Sequence, residues 1–403
     1  MRGVKVNIEQ IHQLINEVKA EKIMIPEIMI EKGALQQITS YVKEKKFTKL
    51  VLVVDENTKN VAGQQLEKLL GDKGNTVTTV ELQPNRHGQV IANEETLVQL
   101  LVEVPNDTHA ILAIGSGTIH DIVRFVSYKM NIPFVSVPTA ASVDGFTSKG
   151  APLIFRGFKE TIQTASPIAV FADIDVLKTA PREMTAAGFG DMIGKYTSLL
   201  DWKISHFIAK EPYNKLAAAI TKRSLEACVK YVHQIAAHED EGLKILMQSL
   251  IESGLVMLVL DFSRPASGSE HHLSHYWEME LLKNDEKQLL HGAKVGVASA
   301  IITDLYKQFV TNFDIDHVSS NYIYIDRVKD HWPNIKEMIY QLPNGDDIRS
   351  LLKEVGGPAT FKELNVSDRL VRDSLNEAYH LRDRCTGLLL INQFKKHNIN
   401  IPI

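Results

Sequence analysis

The chain has 403 residues, of which 44% are hydrophobic and 23% charged, a composition typical of globular proteins and not of disordered or fibrous ones. Its 45 basic and 49 acidic residues leave a formal net charge of −4, which excludes the basic surface that nucleic-acid binding requires. The length predicts two domains, each large enough to bury a core without disulfides.

The start of the chain and its apolar runs predict a cytoplasmic protein without a membrane span. Residues 1–22 carry charges throughout and lack the apolar segment of a signal peptide. The longest apolar runs, such as 255–260, are far shorter than the roughly 18 residues that cross a bilayer. Cys228 and Cys385 are the only cysteines, which favours a reducing compartment over a disulfide framework.

From about residue 49 the chain alternates short β-branched runs with longer amphipathic runs. Strands are predicted at 50–54, 76–80, 110–114 and 133–137, and helices at 58–70, 93–104 and 118–130. Strands of about five residues separated by helices of ten or more indicate βαβ crossovers and a parallel sheet. This pattern predicts an α/β nucleotide-binding domain.

After about residue 175 the alternation stops and helical periodicity takes over. Long apolar periodic runs cover 213–238, 241–262, 288–312, 346–356 and 377–396. The sequence therefore predicts a dinucleotide-binding α/β domain over residues 1–178 and an all-helical domain over 179–403. The boundary is placed at the Pro turn near 177–181.

A glycine turn follows the predicted strand at 110–114. Gly115, Ser116 and Gly117 lead directly into a helix that begins near Thr118. Glycines let the backbone approach an anion, and the amides and dipole at a helix start favour phosphate. We expect a pyrophosphate here, while a plain βα turn with Thr118 as the helix cap carries equal weight.

Two other polar segments follow predicted strands. Asp55 ends the first strand, where an acidic side chain can accept hydrogen bonds from an adenosine ribose, although a helix cap explains it equally well. Residues 138–148 combine small hydroxyl residues with Asp144 at the carboxyl end of a strand, where open α/β sheets bind ligands. Ordinary turns use the same residue types.

The second half contains a candidate metal site. His271 and His275 are four residues apart and so share one face of a helix. His291 stands in an apolar segment, and Asp191 lies among glycines and apolar residues, where a carboxylate is costly to bury unless it is paired or metal-bound. One Asp and two His suit Zn, Ni or Fe(II). Because the chain has 15 histidines, such a pair is also common without any ligand role.

Five segments taken together resemble the sn-glycerol-1-phosphate dehydrogenase family, which belongs with glycerol dehydrogenases, iron-type alcohol dehydrogenases and 3-dehydroquinate synthases. They are GSGTIHD at 115–121, PTAASVDGFTS at 138–148, the stretch 167–202, GSEHHLSH at 268–275 and HGAKVGVA at 291–298. The resemblance covers about residues 50 to 300, and the last hundred residues fit only as a helical tail. Ser116 departs from the glycine that relatives commonly have, which is tolerable if its φ is negative.

The resemblance implies a role for individual residues. NAD(H) or NADP(H) would be held by Asp55, Gly115, Gly117, Thr118, Ile119, His120, Asp121, Thr139, Ala140, Ala141, Ser142 and Ser148. Asp191, His271 and His291 would hold one divalent metal ion, Ni or Zn, with Fe possible. Asp144 would bind substrate and His275 would lie close to it, so that the catalytic set is Asp144, His275 and Asp191, with His272 a bystander.

The reaction implied is hydride transfer between the nicotinamide and C2 of a triose phosphate, interconverting dihydroxyacetone phosphate and sn-glycerol 1-phosphate. The metal would act as a Lewis acid, and bound water or His275 would deliver the proton. Lys149, Arg156 and Lys195 are candidates for the substrate phosphate, and none is assigned. Apolar helices in the second half favour a homodimer.

Other functions stay open beside this one. A glycerol or polyol dehydrogenase would share fold, cofactor and metal and lack only a phosphate pocket. A nucleotide-binding sensor without catalysis would have no chemical reason to keep Asp144, Asp191, His271 and His291 together. A dehydroquinate-synthase-like lyase, the least favoured, needs several basic side chains around a polyanionic ring.

Overall fold

The computed structural model describes residues 6–20, 22–315 and 322–402. The strands are β1 (Glu27–Glu31), β2 (Lys49–Val54), β3 (Thr76–Glu81), β4 (Ala110–Gly115), β5 (Phe134–Pro138), β6 (Gly150–Phe155), β7 (Phe158–Gln163) and β8 (Ala169–Asp173). The helices of the first half are α1 (Ile8–Val18), α2 (Ala34–Glu44), α3 (Glu56–Thr58), a π-helical turn (Lys59–Gly63), α4 (Gln64–Gly71), α5 (Glu94–Glu103), α6 (Gly117–Met130) and α7 (Ile174–Leu177).

The rest of the described chain is helical. Its elements are α8 (Arg182–Ile193), α9 (Lys195–Ala209), α10 (Lys215–Lys230), α11 (Val232–Ala236), α12 (Asp240–Leu260), α13 (Ser269–Lys283), α14 (His291–Asn312), α15 (Ile325–Tyr340), α16 (Gly345–Glu354), α17 (Asp368–Glu377), a 3-10 helix (Ala378–Leu381) and α18 (Gly387–Phe394). The predicted fold class, an α/β part with a parallel sheet followed by a helical part, is confirmed.

Six strands form one sheet in the order β1-β8-β5-β4-β2-β3, and every neighbouring pair is parallel. The chain goes from β2 outward to β3 and then returns to the other side of β2 as β4. This reversal is a topological switch point, and ligands of open α/β sheets bind there, outside the carboxyl ends of the strands. The glycine turn after β4 lies at this position.

The central strands are buried on both faces, as parallel strands covered by crossover helices must be. In β2, Leu50 and Leu52 pack with α2 and α4 on one face of the sheet. Val51 and Val53 pack with α5 and α6 on the other face. The alternation of side chains along the strand therefore supplies two apolar layers from one short β-branched run.

Several strands were not predicted from the sequence. Strand β1 lies at the edge of the sheet and buries only Ile30, and its apolar run, residues 28–30, is too short to indicate a strand. Strands β6 and β7 form a separate antiparallel hairpin between β5 and β8. Because the hairpin interrupts the alternation of strands and helices, β8 was not predicted, although all five of its residues are buried.

Two expectations for the helical half need correction. The run 377–396 is not one helix, because residues 382–386 lie between the 3-10 helix and α18. Helix α18 begins at Gly387, whose amide donates to Asp201 Oδ1 at 2.8 Å. The run 213–238 divides into α10 and α11 at Tyr231, which leaves helical geometry. Helix α15, which contains Pro333, was not anticipated.

Helix α12 is, among the described residues, the one that is long and apolar enough to cross a bilayer by length and composition. Most of the apolar residues of α12 are buried inside the protein. Core helices pass the same test, so α12 adds no support for a membrane span.

Helix α1 packs on the helical half of the molecule, not on the sheet next to it in sequence. Its residues Ile11, Leu14 and Ile15 join the core formed with α10 and α12. Strand β8 ends at Asp173 and α8 begins at Arg182, one on each side of the predicted domain boundary. The division at residue 178 stays a prediction.

Helices α8 and α14 cross with their backbones in contact. A Cβ placed on Gly190 would lie 2.3 Å from the carbonyl oxygen of Gly292, and one on Gly292 would lie 1.8 Å from that of Ala187. On the other side of α8, a Cβ on Gly188 would lie 1.9 Å from the carbonyl oxygen of Ala141. No side chain fits at these positions, so the glycines set how closely Asp191 approaches both the loop after β5 and α14.

We predict that Gly292→Ala destabilises the protein by about 1–3 kcal/mol or more, because the added methyl overlaps backbone that cannot move aside. Urea unfolding followed by circular dichroism measures the change. Gly71→Ala is the control, since a Cβ there meets nothing within 4 Å, and its effect should stay within about 0.5 kcal/mol. Equal stability of the two variants would contradict the close crossing of α8 and α14.

Candidate active site

Three side chains from three helices converge where α8 crosses α14. Asp191 comes from α8, His271 from the first turn of α13 and His291 from the first residue of α14. One ligand atom from each lies within 4.8 Å of the others. The structure thus brings together the three residues that the sequence suggested as metal ligands, although they are up to 100 positions apart in the chain.

The orientation of His271 is set by a neighbouring carboxylate. Its Nδ1 lies 2.7 Å from Glu270 Oε1, which leaves Nε2 facing Asp191 Oδ1 at 3.7 Å. Glu270 is itself held by the Thr197 hydroxyl at 2.5 Å and the Gly268 amide at 2.6 Å. Burial, with Lys195 adding to it, holds the pKa of His271 well below its ordinary value. A carboxylate that fixes an imidazole in this way is typical of metal-binding histidines.

Asp191 is the second ligand candidate and is fully buried. Its Oδ2 accepts a hydrogen bond from the Asp144 amide at 3.0 Å, and Lys195 Nζ lies 3.4 Å from its Oδ1. Burial raises the pKa of Asp191 to about 7, with Asp144 adding to the effect and Lys195 opposing it. A carboxylate in this setting is stabilised by a further cation.

Lys195 connects the two aspartates. Its ammonium donates to Asp144 Oδ2 at 2.7 Å and to the Ala266 carbonyl at 3.1 Å, and the Ser253 hydroxyl donates to the same Asp144 oxygen at 2.8 Å. Burial alone would lower the pKa of Lys195, but the two carboxylates raise it above its ordinary value. A protonated lysine has no lone pair for a metal, so it acts as a fixed positive charge beside the cluster.

The donor set fits a divalent transition metal. A buried carboxylate and two imidazoles are suitable ligands for Zn, Ni and Fe, and three protein ligands leave coordination positions for other groups. The Nδ1 atom of His291 is buried and, among the described residues, has no hydrogen-bond partner. Burial also lowers the pKa of His291 well below its ordinary value, so this imidazole is neutral, as a ligand must be.

His275 and His272 take different positions near the cluster. The His275 ring lies 6.1 Å from that of His271 and 5.7 Å from that of His291, outside the ligand group, and it faces the cavity. His272 is fully buried and does not line the cavity. The assignment of His275 to a position close to the substrate stays a prediction.

A cavity of about 330 Å³ connects the start of α6 with the histidine cluster. Its walls come from α6, the loop after β5, the hairpin, α13 and α14. The predicted site residues that line it are Gly117, Thr118, His120, Asp121, Ser142, Asp144, Ser148, His271, His275 and His291. Its size and mixed lining are typical of small-molecule sites.

The start of α6 has the features of an anion cradle. Ser116 precedes the helix with φ −95°, so the serine is accommodated without strain, as the sequence required. The amides of Gly117, Thr118 and Ile119 begin the helix and therefore have no intrahelical acceptors. The Ser142 hydroxyl is buried in the cavity wall and has no partner among the described residues.

Other predicted cofactor residues lie behind the cavity surface. Ile119 packs in the core of the sheet, and Gly115, Thr139, Ala140 and Ala141 do not line the cavity. These residues shape the turns that carry the cradle, and any contact with a dinucleotide would go through their backbone. Their assignment stays a prediction.

His120 and Asp55 have structural partners of their own. The two ring nitrogens of His120 lie 2.8 Å from the Ser116 carbonyl and 2.8 Å from the Ser136 hydroxyl, and burial lowers its pKa to about 3. Asp55 caps α3, where its Oδ1 accepts from the Thr58 amide at 2.8 Å. Asp55 lies outside the cavity wall, so its proposed contact with a ribose stays a prediction.

Sequence reasoning missed Arg124. This fully buried guanidinium donates to Asp121 Oδ1 at 2.8 Å, to the Gly150 carbonyl at 2.9 Å and to the Gly145 carbonyl, and so ties α6 to the loop after β5. Burial raises the pKa of Asp121 to about 7 against the opposing effect of Arg124. The detectable signal was an arginine three residues after an aspartate on an otherwise apolar helix face.

A partly buried carboxylate shared by two lysines was also missed. Glu278 on α13 accepts from Lys159 of the hairpin at 2.8 Å and from Lys294 of α14 at 2.9 Å. The three residues are 119 and 16 positions apart, so no local pattern joins them. They form the cavity wall next to His275, whose Nδ1 lies 3.7 Å from Glu278 Oε2.

Comparison with known proteins relates this fold to one group of enzymes. The sequence model of the iron-containing alcohol dehydrogenases matches residues 29–181. Glycerol-1-phosphate dehydrogenase (NAD(P)+) of Bacillus licheniformis is 47% identical over 375 residues, which are 93% of this chain and 89% of that protein. The Bacillus subtilis protein of the same name is 44% identical over 399 residues, 98% of each chain.

Solved structures share the fold. The crystal structure of glycerol dehydrogenase from Schizosaccharomyces pombe aligns with a TM-score of 0.64 at 20% sequence identity, covering 93% of this chain and 86% of that one. At this identity the likeness concerns the fold alone.

Loss of a residue that only orients a metal ligand typically weakens metal binding about 10–100-fold. We predict that His291→Ala, which removes a ligand itself, weakens the binding of one divalent metal ion by more than this. Competition with a chromophoric chelator gives the affinity, and elemental analysis gives the stoichiometry. His12→Ala is the control, because His12 is exposed on α1 and belongs to no ligand group. Unchanged metal affinity in His291→Ala would remove this residue from the ligand set.

We also predict that Gly117→Asp raises the dissociation constant of NADH about tenfold, since charge effects at a helix start reach about 2 kcal/mol. The added carboxylate stabilises the helix while it repels an anion at the same amides. Quenching of protein fluorescence measures NADH binding. Gln64→Glu places the same charge at the exposed start of α4, away from the cavity, and should leave NADH binding unchanged.

Proposed function

The chain belongs to the glycerol-1-phosphate dehydrogenase family, and we propose that it interconverts dihydroxyacetone phosphate and sn-glycerol 1-phosphate with NAD(H) or NADP(H) and one divalent metal ion. The structural observation that carries this proposal is the cavity that joins the amides at the start of α6 to the Asp191, His271 and His291 cluster. A dinucleotide anchored at one end and a substrate held at the other would meet inside it.

The start of α6 would hold the pyrophosphate of the cofactor. The free amides of Gly117, Thr118 and Ile119 and the hydroxyl of Ser142 supply donors without competing acceptors. Arg124 keeps α6 and the loop after β5 at a fixed separation, so the two sides of this cradle need not reorganise on binding. Asp55 would receive the adenosine ribose through the oxygen that does not cap α3.

Asp191, His271 and His291 would hold the metal ion. When bound, the ion supplies a Lewis acid for the substrate oxygen at C2 and the reduced nicotinamide supplies the hydride. Glu270 keeps the lone pair of His271 Nε2 directed at the cluster. The Asp144 amide keeps one oxygen of Asp191 engaged and so restricts the rotation of its carboxylate.

Asp144 and His275 are the two further residues that we place on the substrate. Hydrogen bonds from Lys195 and Ser253 reach Asp144 at Oδ2, which orients the carboxylate at the cavity wall towards a substrate hydroxyl. His275 lies on the same wall beside the cluster. We assign it to proton exchange between the substrate oxygen and water in the cavity.

The assembly and the compartment are part of this proposal. Cys228 and Cys385 are buried and unpaired, which is consistent with a reducing, cytoplasmic setting. A homodimer remains our expectation, and sedimentation velocity of the purified protein would show it as a species of twice the chain mass of 45.2 kDa.

We predict that metal-stripped protein loses the oxidation of NADH by dihydroxyacetone phosphate and regains it when Zn, Ni or Fe(II) is added back separately, because the Lewis acid is required at C2. The decrease in absorbance of NADH gives the rate, and chiral analysis of the product should show the sn-1 isomer. Plain dihydroxyacetone should be a much poorer substrate.

Three other results would contradict the proposal in different ways. Preference for dihydroxyacetone over its phosphate would make the protein a polyol dehydrogenase. The sn-3 isomer as product would leave the substrate class intact and reverse the face of the carbonyl. Metal and NADH binding without turnover of either ketone would favour a sensor.

A further inference from the structure

Among the residues that the structure describes, one positively charged side chain of the cavity wall has no carboxylate counterion. Arg382 lies in the segment 382–386 between the 3-10 helix and α18, and it lines the cavity. Its Nη2 lies 3.4 Å from His275 Nε2. Within residues 6–20, 22–315 and 322–402 it forms no ion pair with a carboxylate. Arg382 is only partly buried, but a guanidinium in the cavity wall without such a partner still loses hydration, so this arrangement needs an explanation.

The segment that carries Arg382 is firmly held. Arg384 donates to the Ser267 carbonyl at 2.7 Å and to the Ser263 hydroxyl at 2.9 Å. At the end of the segment the Gly387 amide donates to the buried Asp201 carboxylate at 2.8 Å. These bonds fix the backbone on the C-terminal side of Arg382, so its position at the cavity wall is built into the fold and does not depend on a mobile loop.

The charges around Arg382 add up to an excess of positive charge. Lys159 and Lys294 share the single carboxylate of Glu278, so one of these two ammonium groups is not neutralised. Lys159, Lys294, Arg382 and His275 all line the same cavity. About two positive charges therefore face the space next to the metal residues. A phosphate monoester carries about −1.5 to −2 charges at pH 7 and matches this excess.

The other charged groups of the cavity are already paired. Lys149 forms an ion pair with Asp261 at 2.8 Å, and Lys195 is taken up by Asp144 and Asp191. Arg156 does not line the cavity. Of the three basic residues that the sequence suggested for a substrate phosphate, Lys149 and Lys195 are already paired with carboxylates, and Arg156 does not reach the cavity.

The distances agree with the size of a triose phosphate. Arg382 Nη2 lies 3.4 Å from His275 Nε2, and the His275 ring lies 6.1 Å from that of His271 and 5.7 Å from that of His291. Phosphorus is three bonds from C2, a span of about 4 Å for bonds of ~1.5 Å. A triose phosphate whose ketone oxygen lies near the cluster is therefore long enough to bring its phosphate to Arg382.

We propose that Arg382 binds the phosphate group of the substrate, with Lys159 contributing charge from the hairpin. This inference rests on the proposed function and assigns its specificity for the phosphorylated triose to a residue from the C-terminal segment. The planar guanidinium can bind two phosphate oxygens at once, which orients the substrate as well as attracting it. An unphosphorylated triose would form no such bond, so Arg382 would select for the phosphorylated substrate.

We expect Arg382→Gln to lower kcat/KM for dihydroxyacetone phosphate about tenfold to a hundredfold, the effect of losing one charged hydrogen bond. The rate with dihydroxyacetone should change less than about twofold, because that substrate makes no such bond. Both are measured as NADH oxidation by the metal-loaded enzyme. Arg369→Gln is the control, since Arg369 is an exposed arginine on α17, and it should leave both rates unchanged.

A second measurement separates this assignment from turnover. Inorganic phosphate titrated calorimetrically into the metal-loaded protein should bind about tenfold more weakly to Arg382→Gln than to the wild type. Arg382→Lys keeps the charge but loses the planar fork, so its affinity should fall between the two. The melting temperature of each variant shows whether it is folded.

The possible results test the role of Arg382 separately from the proposed reaction. Unchanged kcat/KM and unchanged phosphate affinity in folded Arg382→Gln would overturn the assignment while the proposed reaction stands. Weaker NADH binding with unchanged phosphate binding would place the guanidinium on the cofactor and also overturn it. Phosphate binding that depends on Arg382 in a wild-type protein that never reduces the triose phosphate would refute the proposed function, and with it the triose as ligand.

Discussion

The contact between the backbones of α8 and α14 is the constraint on which the site depends. Gly190 and Gly292 allow the two helices to touch, and Gly188 allows α8 to touch the loop after β5 on its other side. Asp191 lies between these two contacts, within reach of both His291 and the Asp144 amide. A side chain at any of the three glycines would push the carboxylate away from its partners, because helix backbones cannot yield by ångströms in a packed core.

Buried charges connect the nucleotide-binding half to the helical half. Lys195 from α9 binds Asp144 from the loop after β5 as well as Asp191 from α8, so the cavity wall and the Asp191, His271 and His291 cluster share one ammonium group. Such a network is costly unless all its members are satisfied, and here the Ser253 hydroxyl and the Ala266 carbonyl complete it. The position of the loop after β5 is thereby coupled to that of Asp191.

Different elements of the fold supply the polar groups that line or adjoin the cavity. The start of α6 offers amides to an anion, the crossing of α8, α13 and α14 offers a carboxylate and two imidazoles, and the C-terminal segment offers Arg382. Each group is oriented by a residue behind it, such as Arg124 for the loop, Glu270 for His271 and Arg384 for the segment. Preorganisation of this kind reduces the ordering that substrate binding would otherwise have to impose.

The sequence by itself determined the features that depend on local periodicity and on short spacings. The central strands, the helices that cover them and the glycine turn before Thr118 follow from patterns within about fifteen residues, and the i, i+4 spacing of His271 and His275 placed both on one helix face. Only the tertiary structure decided which distant groups meet. Among the described residues Arg382 forms no ion pair with a carboxylate, and only the folded chain reveals this. The same holds for edge strand β1 and for the interruption at 382–386, because long-range hydrogen bonds and packing override local propensity there.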